Sequence, residues 1–245
     1  MKPAKSEALP LGQILFSQGF GTRRQCQALL TKGGVAYQGQ ILRDADHVLP
    51  LAGLVLHVNG EPWPYHAQAL IMLHKPSGYE CSRQPLHHPS VLSLLPEPLR
   101  QRGVQPVGRL DEDTTGLLLL TDDGQLLHQL TSPRHHVPKV YHVQCKHPLA
   151  ESALQQLCEG VLLQERDPRL AERPARADAA HLLDSGLLSL TLTEGRYHQV
   201  KRMIAAVGNR VSGLHRAQVG RLVLPPDLAP GQWCWVEQGR QAVLN

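Results

Sequence analysis

The residues best placed to do chemistry lie in PVGRLDEDTTGLLLLTDDG, Pro106–Gly124. A polar loop carrying Arg109, Asp111, Glu112, Asp113, Thr114 and Thr115 runs straight into four leucines, Leu117–Leu120. An aspartate at the mouth of a rigid buried strand is held in place, and a positioned carboxylate serves as a nucleophile or a general base. The plainer reading is an acidic loop with Asp and Thr turn chemistry. A second segment, SPRHHVPKVYHV (Ser132–Val143), places Lys139 and Tyr141 two apart on a strand, so both point to one face. A strand tyrosine is either core packing or a catalyst. A third segment, EGRYHQVKRM (Glu194–Met203), crowds Arg196, Lys201 and Arg202 at the start of a helix. Such a run is a solvated face unless a carboxylate in a partly dry site needs a cation to stay ionised.

These groups must be positioned by regular elements. Leu70–Leu73, Leu117–Leu120, Val140–Cys145 and Leu187–Thr193 read as strands. Gln125–Leu130, Leu149–Glu159 and Tyr197–Val207 have helical spacing, and Gly208 stops the last. Strands arriving in pairs as often as in βαβ order point to a mixed, largely antiparallel α+β domain. Ahead of it, Leu11–Gln18 and Arg23–Lys32 read as short helices, the second capped by Thr22. Val35–Leu42 reads as a hairpin around Gly39 and Leu54–Val58 as a strand. Residues 60–67, GEPWPYHA, contain two prolines and read as a linker. Residues 164–180 read as an exposed loop. The expected organisation is a small domain over 1–60, a linker over 61–67 and a larger domain over 68–245.

Composition narrows the function. The chain has 245 residues, 42% hydrophobic and 19% charged, the profile of one or two globular domains. No apolar run approaches the length of a membrane span, and MKPAKSEALP holds no hydrophobic stretch, so neither an anchor nor a secretory signal is expected. Five scattered cysteines without a CxxC fit a reducing cytoplasm. The 14 histidines show no HExxH or comparable ligand spacing, so no metal is expected. The net charge is +4, unevenly spread. Residues 1–60 and 193–221 are basic, the stretch between them over 150–190 is acidic, and most of the 25 basic residues are arginine. Two arginine-rich patches suit a polyanion touched in two places. Arg23 and Arg24 oppose the helix dipole in the first turn of their helix, a cost that phosphate contacts offset.

Two resemblances bear on the reaction. DEDTT matches the D-x-D-x-T loop of haloacid-dehalogenase-type phosphatases, but there a strand precedes the Asp, whereas here it follows. GRLDEDTTGLLLLTDDG, SPRHHVPKVY and EGRYHQVKRM together resemble, in order and spacing, the ribosomal pseudouridine synthases of the RsuA type. The likeness extends to ALIMLHKPSGYECS before them and GNRVSGLHRAQVGRLVLPPDLAPGQW after them. Residues 11–60, with GTRRQCQALLTKGGVAYQG, resemble the alpha-L RNA-binding domain of ribosomal proteins. Val140 departs from the Thr common at that position, and Leu86-His87-His88 and the 164–180 loop match no familiar pattern.

The resemblance implies a catalytic domain with a central, mostly antiparallel sheet crossed by a cleft. It implies Asp111 as nucleophile, Tyr141 as the residue that stacks on the base and takes its proton, and Lys201 as the cation beside the Asp. Arg196 and Arg202 are rivals for that last place. It implies that Arg109 fills the gap left by the extruded base; with Arg109, the basic residues Arg23, Arg24, Lys32, Lys139, Arg196 and Arg202 are the expected RNA contacts. The substrate would be a uridine in small-subunit (16S) ribosomal RNA, free or in a pre-ribosomal particle, with large-subunit RNA as the alternative target. A non-catalytic RNA-binding assembly protein is the alternative of another class. An isomerisation transfers no electrons, so no cofactor is expected. Nothing in the chain demands more than a monomer.

Overall fold

The computed structural model describes residues 7–132, 135–163, 173–237 and 240–244. These form two compact units.

The first unit runs to Ala69 and takes in Leu95–Val104. Helices α1 (Leu11–Ser17) and α2 (Arg23–Thr31) bury Leu11, Ile14, Leu15, Cys26 and Leu30. Thr22 caps α2 in a reciprocal box. Its Oγ1 accepts the Gln25 N–H at 3.3 Å, and Gln25 Oε1 accepts the Thr22 N–H at 2.7 Å. Strand β1 (Ala8–Pro10) pairs with β4 (Val48–Pro50). A separate antiparallel sheet has the order β3 (Gln40–Ile41), β2 (Val35–Tyr37), β5 (Val55–Val58), β6 (Glu61–Pro64). Gln38 and Gly39, both at positive φ, make the tight turn of the expected hairpin.

The stretch expected as a linker is therefore partly strand. Its prolines mislead because β6 is an edge strand, where missing N–H groups are tolerated. Trp63 anchors it, 8% exposed, with its indole N–H donating to Gln18 Oε1 at 3.4 Å. Helix α3 (Glu97–Gln101) also belongs to this unit. Leu99 is fully buried, and the Arg102 guanidinium donates to Gln18 Oε1 at 2.9 Å. An excursion of the chain back into the first unit is not visible in a boundary drawn at residue 68.

The second unit is built on one nine-stranded sheet. Its strands are β7 (Leu70–Lys75), β8 (Gln105–Pro106), β9 (Thr115–Thr121), β10 (Lys139–Cys145), β11 (Ala179–Asp184), β12 (Leu187–Leu192), β13 (Val211–Val219), β14 (Leu222–Val223) and β15 (Trp233–Trp235). The order is β11-β12-β10-β13-β9-β7-β15, with β14 beside β13 and β8 beside β9. Among the described residues the pairings are antiparallel except β9 with β13. The expected mixed, mostly antiparallel α+β architecture is borne out. Residues 164–172 of the expected loop lie outside the described residues, and its last two residues open β11.

Helix α4 (Gly124–Thr131) starts from the TDDG turn. Asp123 Oδ1 accepts the Gln125 and Leu126 N–H groups at 2.9 and 3.1 Å. Helices α5 (Glu151–Glu159) and α6 (Gln199–Ala206) contribute Ala153, Leu157, Val200, Met203 and Ile204 to one core cluster with Leu188, Leu190 and Leu192. A second cluster gathers Leu70, Met72, Leu117 and Leu119 with Leu126 and Leu130 of α4. Helix α7 (Arg240–Leu244) adds Val243 to it. Each such leucine contributes about 1.5–3 kcal/mol by burial, which makes β9 a rigid mount for the loop that precedes it. No helix among the described residues is long and apolar enough to cross a membrane.

Candidate active site

Asp111 sits in the loop that enters β9, closed by the Thr114 N–H donating to the Asp111 carbonyl at 3.1 Å. What holds this loop comes from β7 and the turn after it. Lys75 ends β7 with its side chain fully buried. Its ammonium donates to the carbonyls of Pro76 at 3.0 Å, Glu112 at 3.0 Å and Thr114 at 2.8 Å. The Gly78 N–H also donates to the Glu112 carbonyl, at 2.9 Å, and the Leu110 N–H points at Cys81 Sγ at 3.5 Å. Burial lowers the Lys75 pKa, opposed by the nearby acidic groups, Glu112, Asp113 and Asp111 among them. Burial pushes the Cys81 thiol up, which keeps it neutral.

Gly116 makes the mount possible. Its φ is +106°, and a Cβ there would lie 2.3 Å from the Arg216 carbonyl oxygen. A glycine therefore lets β9 run against β13 directly after the loop. Tyr141, Arg216, Gly116 and Lys75 occupy one row across four neighbouring strands. Arg216 is 4% exposed, and its Nε donates to the Leu117 carbonyl at 2.8 Å. Tyr141 is half-buried and packs against the α5–α6 core cluster. Lys139, also half-buried, has its pKa lowered by burial and by the charge of Arg216.

The opposite wall is the EGRYHQVKRM turn at the start of α6. Gln199, 4% exposed, braces it: Oε1 accepts the Arg196 N–H at 2.8 Å and Nε2 donates to Glu194 Oε1 at 2.7 Å. His198 adopts a left-handed conformation, φ +47°, which costs about 1–2 kcal/mol for a non-glycine residue. This turn brings two side chains to the Asp111 carboxylate. Lys201 Nζ lies 3.1 Å from Oδ2, and His198 Nε2 lies 3.2 Å from Oδ1. Lys201 is shared: it also donates to both Asp113 oxygens, at 2.6 and 2.9 Å. Burial would raise the Asp113 pKa, but the Lys201 hydrogen bond and charge outweigh it and hold Asp113 below the usual carboxylate range. Burial would likewise lower Lys201, but its two carboxylate partners hold it above the usual lysine value.

The sequence-expected residues thus separate. Asp111 and Lys201 meet, and the Asp111 side chain is 29% exposed, within reach of a ligand. Arg196 turns inward, its side chain 6% exposed, bonding Glu194 and the carbonyls of Arg173 and Pro174. The glycine turn aims it at the chain's own carbonyls rather than at solvent, so it braces the turn. Arg202 donates to the Tyr197 carbonyl at 3.0 Å. Arg109 is exposed ahead of Asp111, and Arg23, Arg24 and Lys32 are exposed on the first unit. Lys75, His198, Gln199 and Arg216 were not anticipated as site residues, and Asp113 was named in the loop without its Lys201 partner. A lysine closing a strand that opens with four apolar residues was the available signal for Lys75. Among the described residues no group of three or more His, Cys, Asp or Glu is arranged to hold a metal ion.

The family model described as RNA pseudouridylate synthase matches residues 69–206, which span the loop, β10 and the α6 turn. The chain belongs to the RNA pseudouridylate synthase family. The resemblance read from the three motifs is borne out, and the protein is a pseudouridine synthase acting on RNA. The synthase is 41% identical over 220 residues to ribosomal small subunit pseudouridine synthase A of Escherichia coli (strain K12), covering 89% of this chain and 92% of that one. It is 49% identical over 162 residues to the protein of the same name in Yersinia pestis, covering 66% of either chain. A solved structure titled crystal structure of pseudouridylate synthase superposes with a TM-score of 0.66 at 34% identity, covering 97% of this synthase and all of that chain.

Proposed function

We propose that this synthase isomerises one uridine of small-subunit ribosomal RNA, with Asp111 as the nucleophile. The observation that carries this is the Asp111 carboxylate, part-exposed at the mouth of β9 and held by Lys201 at 3.1 Å. The names of the relatives supply the RNA. The uridine is flipped out of its helix into the site, at a cost of a few kcal/mol. Phosphate contacts from Arg23, Arg24 and Lys32 on one unit, and from Arg109, Lys139 and Arg202 on the other, offset that cost. Asp111 attacks the ribose carbon as the bond from that carbon to the base nitrogen breaks; the base turns, its carbon 5 bonds to the same ribose carbon as the bond to Asp111 breaks, and the freed ring nitrogen takes up a proton. Tyr141 stacks on the base and takes the proton from carbon 5. Lys201 orients the Asp111 carboxylate for the attack. Atoms and electrons balance without a cofactor.

The part of the first unit within residues 1–60 is an RNA-binding module of the alpha-L kind, and the enzyme works as a cytoplasmic monomer on ribosomal RNA or the assembling small subunit. Mapping pseudouridines in ribosomal RNA from cells with and without the gene tests the target. One small-subunit pseudouridine should disappear; loss from the large subunit instead, or no loss, overturns the assignment.

A further inference from the structure

Tyr197 projects from the α6 turn with 77% of its surface exposed. Its ring is nonetheless fixed. It stacks on the His198 imidazole with 3.9 Å between centroids and 18° between planes. The edge of that same imidazole contacts Asp111 Oδ1 at 3.2 Å. A stack of two rings therefore begins at the carboxylate and ends in an open aromatic face. Arg202, one turn into α6, donates from its guanidinium to the Tyr197 carbonyl at 3.0 Å. A planar cation and a planar aromatic surface are thus tethered to one residue beside the reacting carboxylate.

We infer that the outer face of Tyr197 is a stacking site for an RNA base neighbouring the isomerised uridine, with Arg202 taking the adjoining phosphate. The inference rests on Asp111 marking where the uridine reacts. A base has an apolar face that water solvates poorly, and every base has one, so a bare ring accepts any nucleotide. The chemistry of the second group fits the rest of a nucleotide, since a guanidinium presents a fork of donors matched to phosphate oxygens. The His198 stack holds the tyrosine in its binding orientation beforehand, so little freedom is lost when the base arrives. The left-handed backbone at His198 directs both rings, one to the carboxylate and one to solvent. Flipping leaves the neighbouring base without its stacking partner, and Tyr197 offers a replacement one ring away from the nucleophile.

Steady-state tritium release from small-subunit ribosomal RNA labelled at uridine carbon 5, with binding to the same RNA, tests this with four variants. Tyr197→Ala and Tyr197→Leu should raise KM about 5- to 150-fold, the range that losing one base–aromatic stack produces, with the loss falling on KM rather than kcat. Tyr197→Phe keeps the ring and should restore KM to within about threefold of the parent. Arg202→Gln should lower the salt slope of binding by about one. A KM for Tyr197→Ala within about twofold of the parent overturns the inference, as does leucine performing as well as phenylalanine. Filter binding of the same variants to the same RNA reads the stacking site independently of turnover. A parent enzyme that binds this RNA but releases no tritium would count against the proposed function and not against the platform.

Discussion

Replacing Lys75 with methionine keeps the length of the side chain and removes the ammonium that three carbonyl oxygens share. The Glu112 carbonyl retains the Gly78 N–H, while the Pro76 and Thr114 carbonyls lose a charged donor. Each acceptor left short costs about 1–3 kcal/mol, so the two together cost about 2–6 kcal/mol. Relief from burying a charge offsets part of that, leaving a net loss of about 3 kcal/mol. For a domain of this size each kcal/mol moves Tm by about 2–4 °C, so Tm should fall by about 6–12 °C. The activity loss should be larger than stability alone explains, because the Glu112 and Thr114 carbonyls that lose the ammonium belong to the loop that carries Asp111 and Asp113. A displacement of about 1 Å at a reacting group costs on the order of 100-fold in rate. Thermal unfolding and tritium release on the same preparation, assayed well below the new Tm, separate the two effects. A Tm within about 2 °C of the parent together with kcat within about threefold would refute the claim that Lys75 holds the nucleophile loop.

Two further outcomes follow from charge. Asp113 is held below its ordinary value of 3.8 and Lys201 above 10.5. The Asp113 contribution to stability is therefore present above 3.8 and lost as pH falls through its depressed folded value, and the Lys201 contribution is present below 10.5 and lost as pH rises through its raised one. Between those limits the pair stays ionised. A carboxyl-carbon NMR titration should place the Asp113 midpoint below 3.8, and a midpoint above it would contradict the geometry. Exchanging both Arg23 and Arg24 for Gln should reduce the slope of log affinity against log salt by about two, and an unchanged slope would remove this helix from the RNA interface. These point changes are better probes than deleting residues 1–60, which would remove Gln18, the Arg102 partner, from the first unit.

The parts of the site that were legible from residues alone share a local cause. The acidic loop announces itself because acidic and hydroxyl residues abut a run of leucines, and the basic helix start because a carboxylate needs a cation; the choice of Asp111 and of Lys201 within them came from the resemblance. Lys75 was opaque because its acceptors arrive from residues 37 and 39 positions later. Among three clustered cations, only the backbone turn decides that Lys201 faces Asp111 while Arg196 faces inward. The central strand β13 escaped notice because SGLHRAQ shows no two-residue alternation; a polar sheet row and a buried arginine replace the usual apolar face. Strand β6 was hidden by its prolines, and its assignment depends on being at an edge, which is a property of the sheet rather than of the segment. His198 gave no signal, since a histidine beside a tyrosine is unremarkable until a left-handed turn stacks the two.

The most direct test concerns one carboxylate. Asp111→Asn keeps the shape of the side chain and its neighbours while removing the charge that Lys201 and His198 face. Tritium release from ribosomal RNA labelled at uridine carbon 5 should fall to background while RNA affinity stays close to that of the parent. Release at a substantial fraction of the parent rate would contradict the central claim.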